Sequence, residues 1–132
     1  MLIHVPLSVG EVLDKITILE IKSERIADPS KLENIHNELS ELRPLVEGEP
    51  FSSPEIESLF AELKSINEEL WVIEDDIREQ ERNQNFGEVF IALARAVYVT
   101  NDRRADVKKR INLATGSALV EEKSYEDYTG TA

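Results

Sequence analysis

Residues 54–82 read PEIESLFAELKSINEELWVIEDDIREQER, and Ile56, Leu59, Leu63, Ile66, Leu70, Ile73 and Ile77 recur in that stretch at alternating steps of three and four. This period places seven apolar side chains on one narrow stripe of a helix. At 1.5 Å per residue the helix is a rod of roughly 43 Å. A stripe of that kind is satisfied only by a neighbour with the same repeat. Ser53 before Pro54, with Glu55 in the first turn, marks where the rod starts.

The neighbour follows directly. Phe86, Phe90, Leu93, Val97, Thr100, Arg104, Val107, Ile111 and Ala114 repeat the alternation, and Gly116 lies where a helix cap is expected. Only residues 83–85 separate the two seams, so the two helices, about 54–82 and 85–114, are expected to form a long antiparallel hairpin. Two shorter helices precede them. Ser8 and Glu11 have the spacing of a capping box and open a helix that Asp28-Pro29 stops near Ala27. Ser30 and Glu33 repeat the spacing, and Leu32, Ile35, Leu39, Leu42 and Val46 make one stripe, ended by Pro44 and Gly48-Glu49-Pro50. The expected fold is an all-α antiparallel bundle in one domain, with an irregular tail from about residue 117. Leu2 to Val5 and Ala118 to Val120 are candidates for short extended pieces that pair.

The first helix is apolar on two faces. Val12, Leu13, Ile16, Leu19 and Ile26 share one, while Ile18 and Ile21 project from another. Such a helix needs two partners: either it is the central element of the monomer, or Ile18 and Ile21 meet a second subunit in a dimer.

One position of the fourth seam breaks the pattern. Arg104 stands where a leucine is expected, and a guanidinium keeps its proton at any ordinary pH, so burying it requires a carboxylate. Glu20, which falls inside the first apolar face of helix 1, is the expected counter-ion. On the third helix Asn67, Glu74 and Arg78 flank the seam beside Trp71, and on the fourth Asn101, Arg104 and Lys108 share a strip. These eight residues are the candidate site. They form either a polar layer that fixes helix register or a pocket for a small anionic or polar ligand.

Charge narrows the function. The chain of 132 residues carries a net charge of -12, which argues against general affinity for nucleic acid. Residues 83–120 alone are positive, with 6 basic and 3 acidic side chains; their cations are Arg95, Arg103, Arg104, Lys108, Lys109 and Arg110. A helix so charged is expected to face acidic neighbours. There is no cysteine, hence no disulfide and no thiolate chemistry, and Met1 to Leu7 has neither the length nor the basic flank of a signal peptide or a membrane span. A cytoplasmic location is expected. Glu33-x-x-His36 lacks the second copy that a bundle metal site uses, and Glu74-Asp75-Asp76 points in several directions from one helix, so no metal or cofactor is expected.

Three blocks carry a resemblance. Val5-Pro6-Leu7-Ser8-Val9-Gly10-Glu11 with Leu13 to Lys22, Asn67 to Trp71 with Ile73 to Arg78, and Thr100 to Ala105 with Lys108 and Ile111-Asn112 resemble an uncharacterised family of small bacterial and phage helical domains, as does the ending Glu121 to Tyr125. The likeness spans nearly the whole chain and leaves out about residues 47–58. Members of that family lie near genes for surface-glycan synthesis and glycosyl transfer, which implies a loose role in that metabolism and no defined activity. The expected function is a non-enzymatic binding or interaction module, dimeric, with a small anionic ligand or a protein partner. The alternative is a small metabolite-processing or Mg²⁺-dependent all-α enzyme.

Overall fold

In the computed structural model, which describes residues 1–129, the Ser53 side chain accepts a hydrogen bond from the Ile56 amide and starts the longest helix. The helices in chain order are α1 (Val9–Arg25), α2 (Pro29–Leu42), α3 (Pro54–Arg82) and α4 (Glu88–Thr115), with a 3-10 turn at Arg43–Val46. Ser8 caps α1 by accepting from the Glu11 amide. Gly116 ends α4 in the left-handed region at φ 66°. At α2 the cap is Asp28 and not Ser30: its carboxylate accepts from the amides of Ser30 and Lys31. Pro29 has no N–H to leave unsatisfied, so it takes the first helical position and the helix gains two residues over a start capped by Ser30.

α3 and α4 form the long hairpin, antiparallel, with Glu69 joined to Arg103 and Glu62 to Arg110 across it. α1 contacts α2, α3 and α4. It runs antiparallel to α4, since Gly10 meets Asn112, Glu11 meets Lys108 and Asp14 meets Arg104. Leu13, Ile16 and Leu19 enter a core with Ile35 and Leu39 of α2 and Ile56, Leu59, Leu63 and Ile66 of α3. The second apolar face is used inside the same chain, for Ile21 is 1 % exposed and Ile18 is partly buried. Helix 1 is therefore the central element of the monomer, with Ile21 in its interior and Ile18 at the edge of a groove.

The bundle occupies only half of the hairpin. On α3 the seam is buried from Ile56 to Leu70, whereas Ile73 and Ile77 are partly open because no third helix reaches them. Phe86 and Phe90 meet edge to face at 5.2 Å near the far end, and Val89, Ile91, Tyr98 and Val99 of α4 are exposed.

Leu2 to Val5 and Ala118 to Val120 do not pair, and no strand occurs among the described residues. Pieces of three or four residues make too few ladder bonds to offset their ordering. The tail instead lies along α4. Lys123 pairs with Asp102, Lys109 with Glu122, and Tyr128 packs edge-on against Tyr98 at 5.2 Å. Among the described residues no helix is long and apolar enough to cross a membrane.

Candidate functional site

The arginine at the seam is held by a carboxylate, but not by Glu20. Asp14 of α1, 1 % exposed, accepts from Arg104 Nε at 2.9 Å and, through its other oxygen, from Nη2. This bidentate pairing is the geometry that fixes a guanidinium plane. Asn67 Nδ2 donates to the same Asp14 oxygen at 2.9 Å and to Thr17 Oγ1 at 2.8 Å, and the Thr17 hydroxyl donates to the Asp14 carbonyl at 2.7 Å. The buried carboxylate is thus met by a cation and an amide, as a charge taken out of water requires. The hydrogen bond to Asp14, with the nearby carboxylates, outweighs burial and holds Arg104 further above its usual range.

Glu20 lies elsewhere. It faces Arg43 at 3.6 Å and Lys64 at 3.5 Å, on the side of α1 turned to α2 and the start of α3. The reason is helix phase. Gly10, Asp14, Thr17 and Ile21 are spaced four, three and four apart and make a second seam toward α4, whereas Glu20 is with Ile16 on the first. Read as a seam in its own right, the spacing of those four residues would have found Asp14.

Close approach of the helices supports the pair. A Cβ on Gly10 would lie 2.5 Å from the Lys108 carbonyl oxygen, so only glycine permits this contact. The Gly10 amide donates to Asn112 Oδ1 at 2.6 Å, and the Val9 amide to Ser117 Oγ at 3.1 Å. One turn along, Lys108 Nζ donates to Glu11 at 2.7 Å and lies 3.2 Å from Glu121 of the tail. Burial alone would lower the Lys108 pKa, but the hydrogen bond to Glu11 and the charges of Asp14 and Glu11 reverse this and raise it. Burial of Glu11 acts against ionisation, but the hydrogen bonds with Lys108 and Glu121 and the charge of Lys108 together overcome it, so the Glu11 carboxyl is held below its usual range.

Arg104 sits between two hollows. On one side a groove of about 460 Å³ runs between α1, α3 and α4, lined by Asn67, Trp71, Glu74, Arg78, Asn101 and Arg104 together with Ile18, Lys22 and Asp75. Six of the eight residues singled out in the sequence therefore meet in one place. Glu74 is held by Arg78 one turn on, and Asp76 is exposed outside the groove. On the other side a cavity of about 770 Å³ lies beneath the tail, where Lys108, Lys123, Tyr98, Tyr125 and Tyr128 join Asn101 and Arg104. Asp102 accepts from Tyr128 and pushes that phenol up to about 12. Lys108 belongs to this second hollow and Glu20 to neither.

With Asp14 holding one edge of the guanidinium, Nη1 is left to Asn101 Oδ1 at 3.4 Å, and the side chain keeps 29 % of its surface in contact with solvent. The arrangement is a fixed donor fork beside an amide and an indole. Fold and site define a small four-helix, all-α protein whose helices converge on a buried bidentate ion pair opening into a groove. The chain belongs to a family of unknown function, DUF6165, whose model matches residues 3–132. No curated protein and no solved structure matches it.

Proposed function

We propose that this protein is a non-enzymatic binding module that takes a small anionic, hydroxylated ligand in the groove between α1, α3 and α4. The observation that carries this reading is Arg104: its plane is fixed by Asp14 and its remaining donors border the groove. A donor fixed in advance loses little freedom when it grips a phosphate or carboxylate. Trp71 offers a flat apolar face to a sugar ring, and Asn101, Glu74 and Arg78 offer hydrogen bonds to hydroxyls. Lys22, Arg78 and Arg104 line the groove with Glu74 and Asp75, and Asp14 pairs with Arg104 behind the lining, so the groove is a near-neutral place on a chain of net charge -12 where an anion meets little repulsion. The resemblance to domains encoded near glycan-synthesis genes favours sugar phosphates and nucleotide sugars, and a cytoplasmic setting.

Thermal melting with nucleotide sugars, sugar phosphates and other anionic metabolites, with and without Mg²⁺, tests the reading. A ligand at 100 times its Kd stabilises the native state by about 2.7 kcal/mol. Trp71 is the single tryptophan, so occupancy of the groove also changes the fluorescence of one known residue. Asn101→Ala and Trp71→Ala are expected to remove the thermal shift. No shift and no change in fluorescence across the panel would end this reading. Turnover of a panel member would replace it with the enzymatic alternative, an anion-processing or Mg²⁺-dependent bundle.

A further inference from the structure

We infer that the outer face of the α4 half lying beyond the bundle pairs, antiparallel, with the same face of a second copy of this chain. The first observation is a cation left over. Of the six cations of α4, Arg103, Arg104, Lys108, Lys109 and Arg110 each pair with a carboxylate of the same chain. Arg95 has no such partner among the described residues, and neither has Glu88 on the same helix, although both are exposed.

Their placement is the second observation. Glu88 and Arg95 are seven residues apart, so they share a face but stand roughly 10 Å apart along the axis, too far to serve each other. Between and beside them that face is apolar and small: Val89, Ala92, Ala96 and Val99. A two-fold axis passing between residues 91 and 92 of two antiparallel helices sets Glu88 against the second copy's Arg95, and Arg95 against its Glu88. Both unpartnered charges are then satisfied at once, in the reciprocal way that an isologous interface requires.

The occupant follows from this symmetry and from the charge. On a chain of net charge -12, copies repel one another over most of their surface. From residue 89 to 101 Arg95 is the single charged residue of α4, so here the repulsion is least and apolar contact can prevail. The alanines let two helix backbones come close, and α4 is apolar on the α3 side as well, which is the pattern of a helix with two neighbours. The tail covers the opposite flank through Tyr128 on Tyr98 and does not occupy this strip. The pairing leaves the groove at Arg104 free and does not depend on any ligand there.

Sedimentation equilibrium of the full chain tests it, with circular dichroism confirming that each variant keeps its helix content. A dimer is expected at about 50 μM, a concentration that populates contacts of micromolar Kd. Ala96→Glu is expected to give a monomer. Arg95→Glu places like charges together and is expected to raise Kd by roughly tenfold or more, the equivalent of about 1.4 kcal/mol. Adding Glu88→Arg to Arg95→Glu restores opposite charges and is expected to return Kd to within about threefold of the parent. A parent chain monomeric at that concentration overturns the inference. So does a dimer indifferent to Ala96→Glu, or a charge reversal that the second substitution does not rescue.

Discussion

Asp14 and Arg104, ninety residues apart in sequence, form a bidentate ion pair in which the carboxylate is almost wholly enclosed and the guanidinium keeps an open edge. This asymmetry makes the pair both a tie between α1 and α4 and a presented donor. It also means that the two partners are not equivalent to mutation.

Removing the cation is expected to cost more than removing the anion's charge. Arg104→Met leaves the Asp14 carboxylate enclosed with only the Asn67 amide, and stranding a buried charge costs about 3–5 kcal/mol unless the group takes up a proton. Asp14→Asn keeps a group that can accept from Arg104, whose open edge remains solvated, and is expected to cost about 1–2 kcal/mol. Urea melts of both variants give the order. A change below about 0.5 kcal/mol for Arg104→Met would be that of a surface site and would contradict the pair.

Gly10→Ala is expected to destabilise by about 1–3 kcal/mol, the usual penalty for forcing volume into a packed contact. The added methyl would meet the Lys108 backbone 2.5 Å away, and a helix backbone cannot turn aside as a side chain can. At an exposed helical position the same change stabilises through the lower entropy of the unfolded chain. The sign of the measured change therefore decides whether α1 and α4 touch at Gly10.

Ile21→Asp is expected to unfold the monomer rather than separate subunits. Ile21 is almost fully enclosed within one chain, and an unpaired carboxylate there has no partner. Loss of helical signal together with loss of a cooperative melt is the expected result. A variant with parental helicity and stability would show that this face is free.

Glu11 and Lys108 set the pH limits of the α1 to α4 contact. The Glu11 pKa is lowered from 4.5, so its stabilising contribution is complete above that value and is lost as pH falls through the folded pKa. The Lys108 pKa is raised from 10.5, so its contribution is complete below that value and is lost as pH rises through the folded pKa. Denaturation midpoints measured against pH should therefore show a shallower acid limb for Glu11→Gln than for the parent. Parallel acid limbs would mean that the bond contributes nothing.

Most of the architecture is present in local sequence. Helix phase and helix ends depend on residues within a turn or two of one another, so the heptads of Ile56 to Ile77 and Phe90 to Ile111, the caps at Ser8 and Ser53 and the stop at Gly116 are legible without the fold. Those same periods imply the antiparallel hairpin, because two seams of one repeat joined by a short turn have few other ways to be buried. That Arg104 needs a carboxylate also follows from its chemistry alone. Which carboxylate does not. Glu20 and Asp14 lie on the same helix, and the choice depends on which face of α1 turns to α4, a rotation set by the close approach at Gly10 and by burial of Ile21. The meeting of Trp71, Glu74 and Arg78 with Asn101 and Arg104 in one groove likewise depends on the register between α3 and α4. Period determines which face a residue takes; only packing between helices determines what stands opposite it.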